Sequence, residues 1–380
     1  MGGIHAKNIL EGKAPGVELA AVADTDPARL AQFSKIKGHA TADEMIAASA
    51  SAPATAAGKI DAILIATPHY FHAPIGIAAL KAGLHVLVEK PIAVHKADAE
   101  KLLAAHTDKK LVLGAVFNQR TDPYYLKIRE LVRGGELGEV RRVNWIVTHW
   151  FRTEAYYASS AWRATWAGEG GGVLLNQCPH NLDMFQWLFG MPVRVRAFCG
   201  FGRYHQIEVE DDVTAYMEMG NGATAVFITS TGEAPGTNRL EITGERGRVV
   251  YENEKITFTQ NETGMTRFSR MATEGFALPA TTESVFTFPD HGAQHAGIVQ
   301  NFADAILRGA PLIAPAGEGI HSVEMANAML MSSWTGESVS FPTDAQHYEQ
   351  LLRQHIATST VTKVKKNAAV TINYEKSFRP

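Results

Sequence analysis

Over the first third of the chain, short apolar runs alternate with stretches of helical spacing. Ile60-Asp61-Ala62-Ile63-Leu64-Ile65-Ala66 is a run of strand length closed by Thr67-Pro68. His72 to Ala82 follows as a helix, with Gly83 as its stop. His85-Val86-Leu87-Val88 then runs into Glu89-Lys90-Pro91. Four apolar or β-branched residues meeting a charge and a proline predict a buried parallel strand that stops at the carboxyl edge of its sheet. Lys96 to His106 reads as a helix, and Leu111 to Phe117 as a last strand ending in Asn118-Gln119-Arg120. Upstream, Glu18 to Ala23 is an earlier strand ending in Asp24, and Ala47 to Gly58 reads as a surface helix end and loop. Strand, helix and strand alternate, the pattern of an α/β domain with a parallel sheet.

The pattern changes after a helix over Pro123 to Arg133, stopped by Gly134-Gly135. Val143 to Trp150, Val193 to Phe201, Asp212 to Met219, Thr224 to Ser230 and Arg239 to Thr243 carry β-branched and aromatic residues, and read as strands of one antiparallel sheet. A long excursion separates the first two. It holds Gly170-Gly171-Gly172 and then a helix in which Asn176 is the expected N-cap and Pro179 is tolerated in the first turn. Asn176, His180 and Asp183 stand at i, i+4 and i+7 and so share a face, while Leu182, Phe185, Leu188 and Phe189 suit a buried side. Further helices are expected over Gly297 to Leu307, over the Ala/Met-rich Ile320 to Ser333, and around Asp344 to Gln354, with a short strand at Ala368 to Tyr374.

Composition narrows the classes. At 380 residues two domains are the reasonable expectation, and a hydrophobic fraction of 46% is ample for burial. A formal charge of -3 gives no footprint for nucleic acid, and no apolar run approaches the ~20 residues of a membrane helix. Only Cys178 and Cys199 are present, which fits a reducing, cytoplasmic setting and gives neither a disulfide framework nor zinc spacing. The opening residues do not read as a secretory signal, having no long apolar segment after a basic start.

Lys90 is the most informative candidate. Open α/β sheets bind ligands at the carboxyl edge, and a lysine there can donate to a substrate oxygen and stabilise negative charge developing on it. The order "strand, Thr-Pro, helix, Ala-Gly, His-Val-Leu-Val-Glu-Lys-Pro" resembles the Gfo/Idh/MocA oxidoreductase family, which works on sugars, inositols and related polyols with a nicotinamide dinucleotide. The resemblance implies a Rossmann-type dinucleotide-binding domain (1–122), an α+β domain with a large, mainly antiparallel open-faced sheet (123–342), and a C-terminal extension (343–380). It also implies a homodimer or homotetramer contacting through the open sheet face.

By the same resemblance, Gly2 matches the last glycine of the family's fingerprint and His5 the histidine three residues on. The first strand, which would lie mid-sheet, and the first two glycines are absent, so the expectation is that the natural polypeptide starts about ten residues or more upstream. An export signal there stays open. The rival reading is a variant without ordinary cofactor binding. Asp24 stands where an acidic residue accepts from the adenosine ribose hydroxyls, and its charge favours NAD over NADP. It also suits the turn Asp24-Thr25-Asp26-Pro27 as a helix cap. The remaining cofactor positions are expected at Thr67, Pro68, His69, His72, Glu89, Lys90, Asn118 and Gln119.

The glycine-rich approach and histidine helix resemble the family's second motif, with His180 as catalytic base. Taken by itself, His180 is equally a core histidine. The sequence departs from the pattern at Asn176, where many members have aspartate; an amide orients without adding charge. The stretch from His149-Trp150-Phe151-Arg152 through Tyr156-Tyr157 to Trp162-Arg163 offers aromatic faces and forked donors for a sugar ring, or else packs as core. Substrate contacts are expected from Lys90, Asn118, Trp162, Arg163, Asn176 and His180, with Arg120 as a ligand or an ordinary ion pair, and His295 as a ligand or a structural residue. His291 and His295 lack a third metal ligand in reach, so no metal is expected. The leading function is NAD-dependent oxidation of a secondary hydroxyl of a carbohydrate or polyol. The alternatives are glycoside cleavage or epimerisation with a recycled cofactor, and a non-enzymatic carbohydrate sensor.

Overall fold

The computed structural model describes residues 1–51 and 59–361, and they divide into two compact units. The first unit comprises residues 1–121 and 292–323, and the second residues 122–291 with the described residues from Glu324 on. Residues 292–323 thus belong with the first unit, a return that a linear division at 122/123 does not contain.

In the first unit, β1 (Ala21–Ala23) and β2 (Lys37–His39) form a parallel pair. β3 (Ala62–Ile65), β4 (His85–Glu89) and β5 (Leu113–Val116) form a separate parallel sheet in that order. Among the described residues no strand joins the two. The near-continuous apolar runs are explained by burial on both faces: Val86, Leu87, Val88, Ala115 and Val116 are all buried. Helices His72–Lys81 and Lys96–Ala105 cross closely because Gly76 has no side chain; a Cβ there would meet Leu102 at 2.7 Å. Helix Gln294–Arg308 packs Ile298, Val299 and Phe302 into the same core, and Ala115 N–H donates to the Ala314 carbonyl at 2.9 Å.

The second unit is built on a nine-stranded sheet. Its strands are β6 (Val140–Val147), β7 (Pro192–Phe201), β8 (Glu210–Met219), β9 (Thr224–Ser230), β10 (Asn238–Gly244), β11 (Gly247–Glu252), β12 (Lys255–Asn261), β13 (Thr281–Phe286) and β14 (Val339–Ser340). They are ordered β13-β12-β11-β10-β6-β9-β8-β7-β14. Period-two alternation places Val213, Ala215, Met217, Ala225, Phe227, Leu240 and Ile242 in the core. Phe198 and Tyr216 stand exposed on the outer face. The sheet is mainly antiparallel, as expected, with β6 and β9 as a parallel pair within it. The excursion together with β7 and β8 forms the long connection that such a pair requires.

The carboxyl-terminal half of helix Ala316–Thr335 lies along β7, where Ser332 Oγ and Ser333 Oγ accept from the amides of Ala197 and Cys199 at 3.0 Å each. Helix Ala345–Thr358 is capped by Asp344 and packs within this unit, with Tyr348 stacked on Trp334. The strand expected at 368–374, and most of the expected loop before residue 59, lie outside the described residues. No helix among the described residues is long and apolar enough to cross a membrane. Both cysteines are free.

Candidate active site

The carboxyl edge of the β3-β4-β5 sheet gathers several of the expected residues. Register pairs Ile65 with Val88 and Glu89 with Val116, so Thr67-Pro68, Lys90 and Asn118 all follow strand ends at one edge. Lys90 is half-buried and directly follows the last residue of β4. Its amide N–H donates to Glu89 Oε2 at 3.2 Å, while Glu89 Oε1 accepts from His5 Nε2 at 2.6 Å. Burial alone would raise the Glu89 carboxyl, but the His5 hydrogen bond and the surrounding positive charge outweigh it and hold the group well below the usual carboxylate range. His295 lies edge-on to His5 with ring centroids 5.5 Å apart, and burial pushes its pKa down to about 4.

His72 is buried with Nδ1 2.7 Å from the Pro91 carbonyl and Nε2 2.8 Å from the Thr67 carbonyl. It therefore braces the turns after β3 and β4 against each other. Burial holds its ring below the ordinary histidine range, although both carbonyls favour a second proton. His69 is buried in the turn ahead of that helix. Arg120 takes the ordinary ion pair left open by its sequence: it is almost wholly buried, and Nη1 donates to Glu318 Oε2 at 2.5 Å and to the Ile313 carbonyl at 3.0 Å.

The parts present fit a dinucleotide. Helix Gly2–Leu10 has no side-chain cap at its amino end, the kind of helix end that can take an anion. Buried His5 Nδ1, Asn118 Oδ1 and Gln119 Oε1 have no hydrogen-bond partner. Asp24 follows β1 half-exposed, with Arg29 Nη1 3.6 Å from its Oδ2. Asp24 also accepts from the Asp26 amide at 2.9 Å, while Asp26 caps the next helix.

In the second unit the histidine motif departs from the sequence expectation. Asn176 is not an N-cap: it ends the short helix Val173–Asn176, and a new helix, Pro179–Phe189, starts after Cys178. Pro179 lacks an amide hydrogen and fits the first position of a fresh helix, so the break falls just before it. Nor is the helix two-faced. His180, Asn181, Leu182, Asp183, Met184, Phe185, Gln186 and Leu188 are all buried.

A polar cluster surrounds Asn176. Tyr156 Oη donates to Asn176 Oδ1 at 3.2 Å and accepts from Arg163 Nη1 at 2.5 Å. The Arg163 guanidinium lies over the rings of Tyr156 and Trp162, 4.3 and 4.7 Å from their centroids. Tyr157 is core, its hydroxyl hydrogen-bonded to Thr231 at 2.8 Å. Two buried carboxylates here had no place in the sequence reading. Glu169 accepts from Asn176 Nδ2, and Glu210 accepts from the amides of Gly172 and Leu174 at 2.8 and 3.0 Å. Burial pushes Glu210 up to about 7, with Glu169 adding to the shift and the amides opposing it. The signal for Glu169 was its place directly ahead of the glycine run; Glu210 is distant in sequence and had none. His291 pairs with Asp122 at 2.7 Å, and no metal-holding cluster exists among the described residues.

Residues 1–117 match the family described as "Oxidoreductase family, NAD-binding Rossmann fold", and residues 125–250 match the "GFO/IDH/MocA C-terminal domain". The chain belongs to the Gfo/Idh/MocA oxidoreductase family. Among its relatives, an inositol 2-dehydrogenase of Rhizobium meliloti is 27% identical over 345 residues, spanning 87% of this chain and 93% of that protein. A levoglucosan dehydrogenase of Pseudarthrobacter phenanthrenivorans is 27% identical over 52% of this chain and 56% of its own length.

Solved Gfo/Idh/MocA-like structures share the fold. The WlbA dehydrogenase from Bordetella pertussis, in complex with NADH and UDP-GlcNAcA, superposes with a TM-score of 0.69 at 23% identity, over 86% of this chain and 91% of that one. A levoglucosan dehydrogenase in complex with NADH and levoglucosan gives 0.72 at 20% identity, over 90% and 96%. The family is one of NAD-dependent oxidoreductases, and NAD is the cofactor to which this chain's first unit is suited.

Proposed function

We propose that the protein oxidises a secondary hydroxyl of a neutral sugar, glycoside or cyclitol, with Lys90 and His180 as its catalytic pair. The observation that carries this reading is Lys90 at the carboxyl edge of a parallel sheet, fixed by its own amide to the buried Glu89. Family membership and the carbohydrate or inositol names of the relatives support it. NAD, when bound, supplies the hydride acceptor. Gly2, His5, Asp24, Thr67, Pro68, His69, Glu89 and Asn118 would hold it, with His72 bracing the turn that Thr67 opens.

In this reading His180 takes the hydroxyl proton, and Lys90 donates to the same oxygen and stabilises the charge that develops there. Asn176 orients the imidazole, and reduction of a ketone runs the same roles in reverse. Trp162, Arg163 and Asn118 provide the substrate wall. A neutral substrate fits because Arg163 already faces Glu169, Nη1 lying 3.7 Å from its Oε1. The outward Phe198 and Tyr216 support a homo-oligomer formed through the sheet face.

The test is a panel of sugars, cyclitols and glycosides assayed with NAD and NADP by reduced-nicotinamide absorbance. Steady reduction of NAD with a free sugar or cyclitol is expected. Bond cleavage or epimerisation without net reduction would replace this reading with cofactor recycling, and binding with neither would replace it with a sensor.

A further inference from the structure

Glu169 is almost wholly buried and belongs to neither motif. Its Oε2 accepts from the Ala164 amide at 2.5 Å, at a residue held at φ 52°, and its Oε1 accepts from Asn176 Nδ2. Arg163 faces it from the same loop at 3.7 Å, and the titratable groups of Glu210, Tyr156 and Tyr157 lie within electrostatic reach. A carboxylate can only accept, so it selects one of the two ends of the Asn176 amide. With Nδ2 turned to Glu169, Oδ1 must face the other way. There it accepts from Tyr156 Oη at 3.2 Å and from Gln177 Nε2 at 3.1 Å. Gln177 Nε2 also donates to Tyr156 Oη at 3.2 Å, and that oxygen accepts from Arg163 as well. These bonds all agree with one orientation of the Asn176 amide.

We propose that Glu169 is a positioning residue for the reaction: acting through Asn176, it locks the side chains that lead into the histidine helix, so that the Glu169–Asn176 pair works as one unit. This rests on the reading of His180 as the base. It goes further in assigning the anchoring charge to a residue outside the motif. A unit made of one carboxylate and one amide has a chemical corollary. Exchanging the two groups keeps one acceptor-only partner and one two-ended partner, so the lock survives in reverse. Removing either group alone breaks it. Glu169→Gln, with its oxygen held by the Ala164 N–H, turns its NH2 onto the NH2 of Asn176, and Asn176→Asp sets two buried carboxylates face to face.

The test is a double-mutant cycle of Glu169→Gln, Asn176→Asp and the exchanged double variant, with kcat, KM and thermal midpoint measured for each. Each single variant is expected to lose about tenfold or more in kcat with KM within about twofold, the size of coupling usual for hydrogen-bonded neighbours. The double variant should recover to within about threefold of the parent, with its melting recovering alongside. Losses that multiply in the double variant would overturn the proposal. So would a Glu169→Gln protein whose deficit lies in KM or in the folded fraction alone. If a single variant is insoluble, recovery of solubility and turnover in the double variant still decides. Failure of the His180 reading shows differently, as a His180→Ala protein that keeps its turnover.

Discussion

His5 Nε2 donates to Glu89 Oε1 across 2.6 Å, and both side chains are buried. The bond ties the first turn of helix Gly2–Leu10 to the strand end that carries Lys90, so that helix and the lysine share one anchor. Glu89→Ala is expected to cost about 3 kcal/mol in urea unfolding at neutral pH, the usual effect of stripping one partner from a buried pair. Because the folded carboxyl sits below its ordinary value of 4.5, its stabilisation is complete above that pH and is lost as the pH falls further toward the folded value. The deficit should therefore hold steady from neutrality down to pH 4.5 and narrow only in stronger acid. An unchanged unfolding midpoint at neutral pH would show that the pair anchors nothing.

His295 gives a loss of the same sign in a higher pH window. Its folded value of about 4 lies below the ordinary 6.5, so between these limits the unfolded chain binds the extra proton. Its contribution to stability is complete above 6.5 and declines as the pH falls toward 4. His295→Gln should flatten the fall of the thermal midpoint across that window, whatever it does to the midpoint at higher pH. A slope as steep as the parent's would place the acid sensitivity elsewhere.

Asp24 should set the choice of cofactor. Arg29 already lies 3.6 Å from its carboxylate, so removing the charge frees a guanidinium for a 2′-phosphate. Asp24→Ser is expected to shift the NADP-to-NAD ratio of dissociation constants by about tenfold or more toward NADP, the worth of one charge-assisted hydrogen bond. Fluorescence titration of the two reduced cofactors measures this without turnover, and an unshifted ratio would remove Asp24 from the adenosine site.

Gly172 admits no side chain. A Cβ there would meet the Glu210 carbonyl oxygen at 2.0 Å, a backbone atom that cannot swing aside. Gly172→Ala should cost about 2 kcal/mol or more and displace the helix entry, whereas Gly2→Ala, whose new atom meets Ala66 at 3.7 Å, should melt within a few degrees of the parent. Comparable melting of the two variants would contradict the close packing of the glycine run.

The parts legible in the sequence were those whose burial wrote a pattern. β4 is buried from its second residue on and read as a continuous apolar run, and helix Pro123–Arg133 carried both its apolar stripe and the glycines that stop it. β13 was illegible because it is an edge strand with hardly any burial, and the tight turn before β12 uses Asn253 and Glu254 at positive φ without a glycine. Lys90 and His180 stand out as candidates because local motifs frame them. The partners that fix their surroundings were harder to see: Glu318 lies 198 residues from Arg120, and Glu210 lies 38 residues from Gly172. Asn176 was misread as a cap because the break at Pro179 moves the helix start two residues past the position that suits a capping side chain.

The most direct test of the chemistry is kcat for Lys90→Ala and His180→Ala, each confirmed as folded by its melting curve, on the best substrate from the panel. A fall of about a hundredfold or more is expected in each, the usual size of oxyanion and general-base effects. Turnover within a fewfold of the parent in either folded variant would contradict the pairing of Lys90 with His180.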